Sequence, residues 1–101
     1  MTVPVAGEPD YRVAFEQAPI GLVLSRRRQM VDVNREVLAM FRATPAQMLG
    51  QSFEVLYPSA EEYERTGARI TARLDASGRY ADERVMKRMD GELFWCHEIG
   101  R

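Results

Sequence analysis

Asp90-Gly91 stands between two strand-like runs, residues 80–89 and 92–99. An Asp-Gly pair in that setting is a strong hairpin signal, because the φ > 0 turn it supports matches the twist of the flanking strands. The last quarter of the chain is thereby expected to form an antiparallel ribbon. A second ribbon is expected near the start. There the β-rich run Ile20-Gly21-Leu22-Val23-Leu24-Ser25 meets the alternating run Gln29-Met30-Val31-Asp32-Val33 across the corner Arg26-Arg27-Arg28. The three arginines could hold phosphate; a charged tip that resists edge pairing is the favoured explanation.

Helical signals fill the space between. Asn34 can cap a helix over residues 35–42, with Val37, Leu38 and Phe41 on one face. Thr44-Pro45-Ala46-Gln47 combines a cap, a proline at the first helical position and a capping-box glutamine, and Gly50 stops that helix. Residues 53–57 form an apolar turn closed by Pro58. Ser59 with Glu62 opens the longest helix, residues 60–77, which Gly78 ends. Its stripe is Tyr63, Gly67, Ile70 and Leu74; Arg65, Arg69 and Arg73 line another face. Gly67 costs about 1 kcal/mol of helix propensity, which suggests close approach of another group or a weak point. Upstream, residues 1–9 read as a flexible arm. Asp10 offers a cap for a short helix over residues 10–18, with Tyr11, Ala14 and Phe15 on one stripe and Pro19 at its end. Helices gathered between two strand pairs predict an α+β layer, an antiparallel sheet covered on one face.

At 101 residues one domain is expected. Fourteen Lys+Arg against fifteen Asp+Glu give a net charge of −1, which argues against dedicated nucleic-acid or membrane binding. No apolar run reaches the ~20 residues of a membrane span, and residues 1–9 lack the features of a signal peptide. One cysteine excludes an intramolecular disulfide, so a reducing, cytoplasmic setting is expected.

The order of elements, with Ala18-Pro19-Ile20-Gly21-Leu22-Val23, Val31-Asp32-Val33-Asn34, Met48-Leu49-Gly50 and Met89-Asp90-Gly91-Glu92-Leu93-Phe94-Trp95, resembles a PAS domain. Residues 51–59 with Phe94-Trp95-Cys96-His97 are similar to the PAS modules of LuxR-type transcriptional regulators. The resemblance implies a cytoplasmic sensor and dimerisation module, not an enzyme, with a core over residues 19–101. It implies a sheet in the order 2-1-5-4-3. Because the chain ends near its fourth strand, it is expected to be a fragment truncated before the central fifth strand, unless a partner or terminal arm fills the gap. An output domain, such as a DNA-binding domain, would lie beyond Arg101.

Family inward positions would place Phe94, Cys96 and Glu98 toward the helices, with Met86 opposite Cys96 and Arg84 opposite Glu98. Leu22 and Leu24 would join them. Phe53, Leu56, Tyr57, Tyr63, Gly67, Ile70 and Leu74 would complete the lining of a cavity for a small organic molecule, or simply fill the core. Outward, Val23, Val85, Trp95, His97 and Ile99 would form a patch covered by the Tyr11/Ala14/Phe15 helix, and a homodimer is expected there. The resemblance speaks against flavin, since residues 53–57 lack the reactive cysteine segment, and against haem, since residues 60–77 hold no histidine. The cofactor is otherwise left unassigned. Cys96 and His97 are strand neighbours facing opposite ways, so they form no catalytic pair, and one His with one Cys is too few for zinc. The leading expectation is a ligand-sensing module that regulates an attached output domain. The alternative is a ligand-free, constitutive dimerisation module of a sensor kinase or cyclic-dinucleotide enzyme.

Overall fold

The computed structural model describes residues 9–100, with side chains from Arg12 onward. Of the arm expected over residues 1–9, residues 1–8 lie outside the described residues, as do the Tyr11 side chain and Arg101, while Pro9 belongs to the first helix. The elements are α1 (Pro9–Gln17), β1 (Val23–Arg26), β2 (Gln29–Val33), α2 (Arg35–Phe41), α3 (Pro45–Met48), a 3-10 turn (Phe53–Leu56), α4 (Ala60–Ser77), β3 (Tyr80–Lys87) and β4 (Leu93–Gly100). This is a PAS-like α+β fold. Helix α1 starts at Pro9, so Asp10 sits inside the helix, not at its cap.

Local chemistry explains most boundaries. The Asn34, Ser52 and Ser59 side chains accept from the N–H groups of Val37, Glu54 and Glu62, satisfying donors that a helix start leaves free. Gln47 reaches back to accept from Thr44 N at 2.9 Å. Gly78, at φ 77°, ends α4 in the left-handed conformation that glycine adopts without a Cβ penalty.

Among the described residues β1 pairs only with β2 and β4 only with β3, giving two antiparallel ribbons. At the tip of the first, Arg27 and Arg28 both take positive φ (53° and 64°), which closes a two-residue turn. Its ladder slips between Leu24 and Ser25, where Ser25 pairs with Met30. In the second ribbon Met86 lies opposite Phe94, Arg84 opposite Cys96 and Asp82 opposite Glu98. The expected pairing is therefore wrong by two residues. Met89 donates its N–H to Phe41 O (2.8 Å), which withdraws it from the ladder, and Arg88 N closes the turn on Glu92 O (2.9 Å). A slip of two preserves the faces, so Phe94, Cys96 and Glu98 still face the helices.

The buried core joins Met30, Val33, Val37, Phe41, Met48, Leu56, Tyr57, Tyr63 and Met86. Val23 belongs to it too, contrary to its expected outward placement. Leu22 and Leu24 are half-buried and outside that cluster, so the inward and outward faces of β1 are the reverse of those expected. Val23 pairs with buried Val33, and this fixes the face. Asn34 is completely buried and ties three elements together. Its Oδ1 accepts from Leu22 N (2.9 Å) and Val37 N (3.1 Å), while its Nδ2 donates to Phe15 O (3.0 Å) and Ile20 O (2.9 Å).

Candidate functional site

Alternation along β3 puts Tyr80, Asp82, Arg84 and Met86 on the inward face, opposite Phe94, Cys96 and Glu98 of β4. Arg84 is only 7% exposed. A guanidinium that deep must be neutralised and hydrogen-bonded, because burial strips its hydration. Its Nη1 donates to Tyr57 Oη at 2.7 Å and its Nη2 to Asp82 Oδ2 at 2.8 Å. Asp82 is also paired with Arg69 from α4. Across the ribbon, Tyr80 Oη donates to Glu98 Oε1 at 2.7 Å. Arg84 Nε lies 3.8 Å from Glu98 Oε2. That is an ion pair, too long for a hydrogen bond, and both atoms are buried with no hydrogen-bond partner among the described residues.

The electrostatics follow from burial and these contacts. Burial alone would raise the Asp82 carboxyl, but the Arg69 hydrogen bond and the Arg84 charge outweigh it and hold its pKa low. Burial, then the Glu98 charge, pushes Tyr57 up to about 12. The same causes raise Tyr80, so both phenols remain neutral donors or acceptors. Burial also raises the Cys96 thiol, which makes it a poor nucleophile.

Of the expected lining, Leu56, Tyr57, Tyr63, Gly67, Arg84 and Met86 are buried, while Phe53, Phe94 and Cys96 pack partly buried against the core. Ile70 and Leu74 are half-buried toward the far end of α4. The structure draws Tyr57, Arg84, Cys96 and Glu98 together; Leu22 and Leu24 do not join them. Asp82, Tyr80 and Arg69 were missed. Asp82 and Tyr80 stand two and four residues before Arg84, so strand alternation alone places them on its face. Arg69 is in the arginine row of α4, which is exposed, yet each of its members finds a partner within the chain. Arg65 pairs with Glu62, Arg69 with Asp82, and Arg73 donates to Ala81 O.

Gly67 does meet a close neighbour. The Arg28 guanidinium, from the β1–β2 tip, lies over the Tyr63 ring at 4.2 Å and occupies the space a Cβ on Gly67 would need. Arg28 thus packs against α4 and links the hairpin tip to that helix. Two open depressions flank the fold. One lies beside Arg26, Arg27 and Gly50, and the other beside Arg73, Arg79, Tyr80 and Gly100.

The expected outward set divides. Trp95 is 74% exposed, with Leu93, His97 and Ile99 also exposed and Val85 half-buried. Ala14 is exposed, but Phe15 is 1% exposed and belongs to the interior, not to an interface. Among the described residues no helix is long and apolar enough to cross a membrane, and no group of three or more acidic, cysteine or histidine side chains could hold a metal.

The family described as PAS domain matches residues 10–75. The solved PAS domain of a LuxR-family transcriptional regulator from Burkholderia thailandensis, in complex with ethanol, is 59% identical with a TM-score of 0.89; the match covers 91% of this chain and 81% of that one. A PAS domain from Colwellia psychrerythraea shares the fold at 18% identity and a TM-score of 0.81, covering 89% of this chain and 76% of that one. The sensor protein TdiS of Thauera aromatica is 27% identical over 90 residues, 89% of this chain but only 16% of the relative's length.

Proposed function

The chain belongs to the PAS domain family, and from that premise we propose that it is a ligand-sensing module of a transcriptional regulator. In this assignment a small organic molecule binds at the polar end of the core, and its occupancy is passed to a second copy through the outer face of β3 and β4. The observation that carries it is the pair of buried, unpartnered atoms on Arg84 and Glu98. Buried polar groups are nearly always satisfied, so two that face each other without a bond call for a further hydrogen-bonding partner. The likeness to a LuxR-family PAS domain, one solved with ethanol, supports both a small ligand and a transcriptional output. A ligand shifts such a module only through different affinities for two states, and Arg84 links β3 to the 3-10 turn through Tyr57 in a way that ligand contact would alter. No flavin or haem enters this assignment.

Native mass spectrometry and thermal-shift screening of the 101-residue chain against small organic compounds test it. At least one compound is expected to bind with 1:1 stoichiometry per chain; a complete set without a binder would refute the assignment.

A second function, constitutive dimerisation without a ligand, is favoured by one observation, the exposed Trp95 with exposed Leu93 beside the ribbon's turn. Replacing both (Trp95→Ser with Leu93→Ser) should turn a dimer into monomers in light scattering. Phe15 is unsuitable for that test, because its burial means a charge there would disrupt the fold.

A further inference from the structure

Resting on the sensor assignment, we propose that the ligand is a neutral molecule whose polar group both donates and accepts one hydrogen bond, a hydroxyl or a primary amide, seated between Arg84 Nε and Glu98 Oε2. Counted atom by atom, these two are the ones left without a hydrogen-bond partner among the described residues. Arg84 Nη1 donates to Tyr57 and Nη2 to Asp82, which leaves Nε as the guanidinium nitrogen without an acceptor. Glu98 has committed Oε1 to Tyr80, so Oε2 remains as an acceptor. At 3.8 Å the two cannot bond each other, yet one atom can reach both. A hydroxyl oxygen at ~2.7 Å from each would subtend about 90°, near the angle between its donor and acceptor directions. An amide would accept from Nε through its oxygen and donate to Oε2 through its nitrogen. A carboxylate offers no donor to Glu98, and an ammonium offers no acceptor to Arg84.

The charges paired directly within the cluster point the same way. The cluster holds two cations, Arg69 and Arg84, and two anions, Asp82 and Glu98, which cancel. A charged guest would leave one charge unbalanced beside a guanidinium that is already 93% buried, an arrangement proteins avoid. Cys96 and Met86 on the same inward face would meet the guest's carbon end, which favours a short apolar tail.

The test uses the full chain, labelled with 15N, and follows the Arg84 Nε–H signal, identified by its loss in Arg84→Lys. Four probes share three carbons: propan-1-ol, propanamide, propionate and propylammonium. The alcohol and the amide should shift the signal saturably, and the two ions should leave it in place. Glu98→Gln raises the cluster's net charge to +1, so it should weaken propan-1-ol at least tenfold and make propionate a binder. Should that variant not fold, the four probes on the unmodified chain still decide the matter. Propionate shifting the signal as strongly as propan-1-ol would overturn the proposal. So would a signal unmoved by either neutral probe, as expected if only a water bridges the pair. If the broader screen finds a binder but Arg84 Nε–H stays unmoved, the ligand class falls and the sensor assignment stands; if nothing binds anywhere, both fall.

Discussion

Gly67→Ala is a sharp test of how the first ribbon is held to the long helix. In a mid-helix position alanine should gain about 0.8–1.0 kcal/mol over glycine. At Gly67, however, the new Cβ would sit 2.7 Å from Arg28 Cζ, so the guanidinium must leave its place over the Tyr63 ring. An exposed cation–π contact contributes about 0.5–1 kcal/mol. The two effects nearly cancel, and Gly67→Ala alone should change stability by less than about 0.5 kcal/mol. In an Arg28→Ala background the three atoms nearest the new methyl are gone, and the same substitution should stabilise by about 1 kcal/mol. Residue 28 keeps its left-handed backbone (φ 64°) in both backgrounds, so that conformational cost drops out of the comparison. Urea denaturation of the four proteins, read as midpoint shifts at constant m, yields the cycle. Near 1 kcal/mol of gain in both backgrounds, with no coupling, would refute the contact between Arg28 and the helix.

Asn34→Asp retains the acceptor for Leu22 and Val37 but loses the donor to Phe15 O and Ile20 O, so thermal unfolding should show a loss of about 1–3 kcal/mol; a neutral result would mean those carbonyls find other donors. Acid and alkali should each destabilise through identifiable groups. The low folded pKa of Asp82 makes its contribution present above about pH 4 and lost as pH falls below that value. For Tyr57 the folded pKa is raised to about 12, so its contribution is present below about pH 10 and lost as pH climbs from there. Tyr57→Phe should flatten the alkaline limb measured by denaturation at several pH values, and an unchanged slope would count against the burial of this phenol. Cys96 should react with an aromatic disulfide reagent at pH 8 at least ~10-fold more slowly in the native chain than in urea, because burial raises its thiol pKa; equal rates would show the thiol to be open to solvent.

The sequence alone determined whatever depends on neighbouring residues. Side-chain oxygens of Asn34 and Ser59 can cap only the helix they precede, Gly78 can end only its own helix, and the spacing of two along β4 separates Cys96 from Trp95 in any register shifted by an even number. The tertiary structure decided the rest, because the partners are far apart in the chain. Phe41 O captured Met89 and moved the hairpin register by two. Val33 drew Val23 inward and reversed the faces of β1, where a run of apolar residues gives alternation nothing to act on. Arg28 found Gly67, which neither residue's surroundings disclose. The polar cluster belongs to both accounts: alternation puts Tyr80, Asp82 and Arg84 on one face, but only the packing of α4 and β4 supplies Arg69 and leaves Arg84 and Glu98 each with one unsatisfied atom.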